Sequence, residues 1–170
     1  MSSCLIIVDV QNGFISPLTN YVPGRIDELL RNKHFDHIVA TRFENTSDGP
    51  YVRFMNWNGL FTEKERALHP VVLRYAEKVF RKTTYSCFTA EFDSFVTDCG
   101  IDSLYIAGID TDCCVLASAI DAFDRNLACK VILPCCASNG GQSSHEAAAL
   151  VMKRCIGEGE IVTDITKIID

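Results

Sequence analysis

The sequence contains no apolar run approaching the ~20 residues that a membrane-spanning helix needs, and no surplus of positive charge. Lys and Arg number 16 against 22 Asp and Glu, for a formal net charge of -6, and the basic residues are scattered along the chain. Dispersed cations on an acidic protein do not form the phosphate-neutralising stripe that nucleic acids require, so neither nucleic acid nor membrane is an expected partner. The first apolar segment, Leu5 to Val8, is interrupted by Asp9 and has no basic leader, so no secretory signal is expected. No internal repeat, low-complexity tract or linker composition divides the chain. With 170 residues, 48% of them hydrophobic, one domain covering 1–170 and burying a full core is expected.

Cysteine is plentiful. There are nine, an odd number, and the adjacent pairs Cys113-Cys114 and Cys135-Cys136 are poorly placed to bridge each other. Without a secretory signal, the simplest expectation is reduced thiols in the cytoplasm, most of them acting as small buried hydrophobes.

Cys4 to Asp9 (CLIIVD) is a short continuous apolar run rich in β-branched residues that ends on an acid, the pattern of a strand covered on both faces. Pro23 to Lys33 carries Ile26, Leu29 and Leu30 at amphipathic helical spacing. Further strands are predicted at His37–Thr41, Val79–Lys82, Ser103–Ile109, Lys130–Leu133 and Ile161–Val162. Helices are predicted at Ala90–Cys99, ending before Gly100, at Thr111–Asn126 and at Ser144–Cys155. In the Thr111–Asn126 helix, Val115, Leu116, Ala119, Ile120 and Phe123 form the face expected to pack on the sheet. Glu44 to Asn58 mixes turn residues with Tyr51, Phe54, Met55 and Trp57 and reads as a long loop above the sheet. Strands alternating with helices imply a largely parallel sheet with helices on both faces, and a site beyond the carboxyl ends of the strands.

Three residues stand at those ends. Asp9 closes the first strand and is either a turn cap or a working carboxylate, since an acid there must be paired or used. Cys114 falls in the first turn of the helix that follows Ile109. With Thr111 as N-cap, the helix dipole is expected to lower its thiol pKa; the alternative is an inert core cysteine. Cys113 lies about 100° around the helix and reads as packing. Lys82 precedes the polar and aromatic stretch Thr83 to Cys87; alone it reads as a surface lysine. Together, the acid, the ammonium and the thiol make a set suited to nucleophilic catalysis.

The segments CLIIVDVQNGF (Cys4 to Phe14), KTTYSCF (Lys82 to Phe88) and GIDTDCCVLASAIDAF (Gly108 to Phe123) resemble, in order and across nearly the whole chain, the motif blocks of the isochorismatase-like cysteine hydrolases. The last block is the most specific, placing Thr111, Asp112, Cys114 and Val115 at the positions of a G-x-x-T-D-x-C-V pattern. The resemblance implies a three-layer α/β/α sandwich, Asp9 as acid/base, Lys82 as the lysine and Cys114 as the nucleophile. It further implies a cis peptide between Ile109 and Asp110, an oxyanion hole from the backbone N–H groups of Asp110 and Cys114, a small-molecule substrate and a homo-oligomer.

Metal-binding relatives carry an Asp-x-His pair after the second strand; here Phe43 and Asn45 stand there, so no metal or other cofactor is expected, and nicotinamide is not the expected substrate. His34 and His37 flank a helix-to-strand turn, and His145 opens a helix near the nucleophile. Phe14, Trp57, Tyr85 and Phe88, in loops above the sheet, are the pocket candidates, with Arg42 or Arg53 as partners for a substrate carboxylate. The chemistry left open is hydrolysis of an amide or ureido C–N bond, hydrolysis of a vinyl ether, or a non-hydrolytic redox or binding role in which Cys113 resolves an oxidised Cys114.

Overall fold

The computed structural model describes residues 2–168; Met1, Ile169 and Asp170, the ends of the expected domain, lie outside the described residues. Six strands form one parallel sheet: β1 (Ser2–Val8), β2 (His37–Phe43), β3 (Lys78–Lys82), β4 (Ile101–Ile109), β5 (Ala128–Ala137) and β6 (Ile161–Val162), in the order β3-β2-β1-β4-β5-β6.

Alternation along β1 builds both sides of the core. Leu5 and Ile7 face Val22, Ile26 and Leu29 of α1 (Val22–Asn32) and Val72 of α4 (Pro70–Tyr75). Cys4, Ile6 and Val8 face Phe92 of α5 (Ala90–Asp98), Ala119 and Ala122 of α6 (Leu116–Asp124), and Ala148 and Met152 of α7 (Gln142–Ile156). A strand between two helical layers excludes water from both faces, which is why its sequence is continuously apolar. The result is the expected three-layer α/β/α sandwich. Among the described residues no helix is long and apolar enough to cross a membrane.

The departures from the sequence reading have local causes. β5 begins two residues before its expected limits and ends four beyond them; it continues past Pro134 because that residue sits in an irregular stretch: Ile106 pairs with Val131, yet Gly108 pairs with Cys136. An irregularity is where a strand tolerates a residue without an N–H. The expected loop from Glu44 contains α2 (Pro50–Met55), and α3 (Glu63–Arg66) follows it, opened by a reciprocal capping box between Thr62 and Glu65. The chain after Ile109 does not enter an α-helix capped by Thr111. Asp110 is the extended cap residue, Thr111–Val115 forms a π-helical turn, and α6 begins only at Leu116. The wider turn shifts the helical phase, so Ala119 and Ala122 face the core and Phe123, expected to pack, is 55% exposed.

Gly108 is where β4 passes closest to β1. Its φ is +134°, and a Cβ there would lie 2.1 Å from the Val8 carbonyl oxygen. Gly108→Ala therefore forces apart the strand ends that carry Asp9 and the turn bearing Cys114, and we expect a loss of about 3 kcal/mol or more in urea unfolding. Gly159, with nothing within 4 Å of its Cβ position, provides the control: Gly159→Ala leaves the midpoint within about 0.5 kcal/mol of wild type.

Candidate active site

β1 delivers Asp9 to the carboxyl edge of the sheet in a left-handed backbone conformation, φ 50°. Thr41 of β2 holds it there: its hydroxyl accepts from the Asp9 N–H at 3.1 Å and donates to Asp9 Oδ1 at 2.7 Å. Gln11 ties the same loop to the end of β2, accepting from the Phe43 N–H and donating to the carbonyls of Phe43 and Arg66. The side chains of Thr41 and Gln11 do structural work that the sequence reading missed. Each is a fully buried polar group, and its signal is only that a short polar residue sits beside an apolar strand.

Lys82, at the end of β3, reaches across β2 to the same point. Its Nζ lies 2.6 Å from Asp9 Oδ2, with both side chains completely buried. The ammonium donates to the carbonyls of Thr84 (2.8 Å) and Tyr85 (3.0 Å) and to Cys114 Sγ (3.4 Å), and it sits 5.3 Å from the centre of the Phe43 ring. Three donors thus have three acceptors, and Asp9 Oδ2, although in ionic contact, accepts no aligned hydrogen bond among the described residues. Burial pulls the lysine pKa down, but the charge on Asp9 and its interactions with Cys114 reverse this, and the net shift is upward. The lysine therefore stays an ammonium.

Cys114 comes from the π-helical turn that follows the cis peptide between Ile109 and Asp110. The N–H groups of Cys113 and Val115 both donate to the Asp110 carbonyl, and the Cys114 carbonyl accepts from the Ser118 hydroxyl at 2.6 Å, fixing the turn. The expected lowering of the thiol pKa is overturned. Burial and then the Asp9 charge push it well above its ordinary value, with Lys82 opposing them. The cause is position: the thiol sits beneath the cavity against a carboxylate, and desolvation of a thiolate there outweighs the helix dipole.

Above Cys114 opens a cavity of about 360 Å³. Its wall is aromatic, made by Phe14, Phe43, Tyr51, Trp57 and Tyr85, with Met55 at the rim. Phe14 and Trp57 stack with centroids 5.9 Å apart, and Tyr51 meets Phe43 and Tyr85 edge-on at 4.9 and 5.0 Å. Gly13, Asp110, Cys113, Cys114 and Asn139 complete the lining. Asp110 Oδ1 accepts from both the N–H and the side-chain amide of Asn139, each at 2.9 Å. Its Oδ2 has no hydrogen-bond partner among the described residues. Burial raises the Asp110 pKa to about 6, against the lowering effect of the two Asn139 donors.

Asp9, Lys82 and Cys114 meet, and Phe14, Trp57 and Tyr85 line the cavity. Phe88 does not. It packs on Phe92 at 5.2 Å, under the Arg125 guanidinium at 4.3 Å, because the turn at Ser86, whose hydroxyl accepts from the Phe88 N–H, carries it toward α5. Cys113, read as packing, lines the cavity instead. Arg42 is held by Glu44 and Glu63 and Arg53 lies over Phe54; neither lines the cavity. His145 bonds Thr111 at 2.8 Å and His37 bonds Glu77 at 2.7 Å. Phe43 and Asn45, at the positions of the metal-binding pair, serve as cavity wall and as a donor to the carbonyls of Trp57 and Gly59. Among the described residues no three His, Cys, Asp or Glu converge as a metal site.

A family model described as the Isochorismatase domain matches residues 3–166. The chain belongs to the isochorismatase family. It is 30% identical to a nicotinamidase of Acinetobacter baylyi over 171 residues, covering 78% of this chain and 79% of the relative. Solved structures of the same fold include N-carbamoylsarcosine amidase from Thermoplasma acidophilum (TM-score 0.81, 22% identity, all of both chains). Another is an isochorismatase-like hydrolase from Alkaliphilus metalliredigens (TM-score 0.83, 16% identity, 98% of this chain and 97% of the other). Membership makes this isochorismatase-family chain a hydrolase.

Proposed function

We propose that this protein hydrolyses an amide, ureido or related C–N bond of a small molecule through a covalent thioester on Cys114, without a metal ion. The observation that carries the reading is the contact of Asp9, Lys82 and Cys114 beneath an aromatic cavity: a buried base, a charge-balancing ammonium and a nucleophile within reach of one another.

The resting thiol is neutral, and its proton passes to Asp9 as Sγ attacks the substrate carbonyl. Lys82, in contact with both groups, balances the charge of the carboxylate and stabilises the emerging thiolate. The N–H groups of Asp110 and Cys114 receive the tetrahedral oxyanion. Collapse of that intermediate expels the amine or ammonia, which takes the proton from Asp9 and leaves a thioester. Asp9 then draws a proton from water, the hydroxide adds to the thioester carbonyl, and the acid departs with the thiol restored.

Hydroxylamine tests the covalent step. Added to a panel of primary amides and ureido compounds, it is expected to divert the acyl group of any amide turned over into a hydroxamate and the carbamoyl group of any ureido compound into an N-hydroxyurea, while acid-quenched intact mass shows the adduct on Cys114. Turnover that yields neither hydroxylamine product and no adduct, or that survives in Cys114→Ala, would rule the covalent intermediate out.

A further inference from the structure

Building on the proposed acyl transfer, we propose that the cavity selects amides whose non-reacting end is uncharged or cationic, reading an N–H or a positive charge with Asp110 Oδ2, and rejects carboxylated ones. The charges around the cavity point this way. The ammonium nearest the nucleophile, Lys82, is completely buried, and its donors are engaged by Thr84, Tyr85 and Cys114. Its charge is balanced by Asp9. Among the described residues no arginine, lysine or histidine lines the cavity, and Arg42, the cation carried nearby by β2, is held by two glutamates.

What remains is the Asp110 carboxylate. It lines the cavity next to Cys114, with Oδ1 fixed by Asn139 and Oδ2 without a partner among the described residues. Asn139 is itself anchored to the Phe14 carbonyl, so the carboxylate is clamped rather than free to swing away. Asp112, two residues on, adds negative potential: its Oδ1 is buried without a partner among the described residues, and burial raises the pKa values of Cys113 and Tyr85 with the Asp112 charge adding to it. A substrate carboxylate entering here would lose water, meet like charge and find no cation. A cation or a polarised N–H meets the carboxylate and the surrounding ring faces, an environment suited to positive charge.

The test uses a matched pair of thiol reagents, 2-(trimethylammonio)ethyl and 2-sulfonatoethyl methanethiosulfonate, at pH 8 in the Cys113→Ala protein, so that Cys114 is the cavity thiol scored by peptide mass. Relative to free cysteine, the cationic reagent is expected to be favoured at Cys114 about tenfold or more. Adding Asp110→Asn, which keeps an oxygen for the Asn139 donors, is expected to bring the ratio to within about twofold of free cysteine. A ratio equal to that of free cysteine with Asp110 present, a ratio unmoved by Asp110→Asn, or no labelling of Cys114 by either reagent overturns the proposal. In substrate terms, any neutral amide that acylates Cys114 should lose roughly tenfold or more in kcat/KM on gaining a carboxylate, and recover it in Asp110→Asn. Failure of the hydrolase reading is distinguishable: acyl-enzyme never forms, while the reagent ratio still reports the charge of the cavity.

Discussion

Lys82→Met is expected to lower the unfolding free energy by about 3–5 kcal/mol in urea denaturation, a shift in Tm of roughly 10 °C for a chain of this size. Methionine fills most of the lysine volume, so the loss is not one of packing. It arises because Asp9 is left fully buried, with the Thr41 hydroxyl on its Oδ1 but without the ammonium that balances its charge. The decisive comparison is the double variant Asp9→Asn/Lys82→Met. Removing both charges removes the conflict, so most of the stability returns while activity does not. If the double variant is as unstable as the sum of the two single variants, the pair is not the coupled unit described here.

On the proposed mechanism, Cys114→Ala is expected to abolish turnover, by about 10⁴-fold or more in kcat, with little change in stability. The asymmetry with Lys82 follows from the resting protonation states. The thiol is held neutral by burial and by Asp9, so its removal leaves no uncompensated charge; Lys82 and Asp9 still pair. A steady-state assay on the best amide from the hydroxylamine panel, beside a thermal melt, measures both quantities on one preparation. Residual activity within about a hundredfold of wild type would mean that water, activated by Asp9, attacks the substrate directly.

The parts of this site that could be read in the sequence were those set by strand ends. Asp9 and Lys82 close apolar strands and Cys114 follows a third, but singly they also read as a turn cap, a surface lysine and a core thiol, and it is their combination and the motif blocks around them that single them out. The layers were equally legible, since β1, β2, β4 and the helix at Ile26 and Leu29 are long and strongly patterned. What escaped depended on distant contacts or on irregular backbone. Phe88 and Tyr85 lie three residues apart in one loop, and the turn at Ser86 sends them to opposite sides of it. The π-helical turn at Thr111 contributes one extra residue that periodicity does not register, which moved Phe123 to the surface. The thiol pKa was misjudged because the helix dipole is visible in one segment, whereas the burial and the Asp9 charge that override it come from the whole fold.

Reading across the sheet, β3, β2 and β1 come from the first half of the chain and β4, β5 and β6 from the second, so the sheet divides along one seam, where β1 pairs with β4. Asp9 and Lys82 lie on one side of that seam and Cys114 on the other. On the proposed mechanism the three groups act only once the two sides have docked, so turnover is expected to report on that docking.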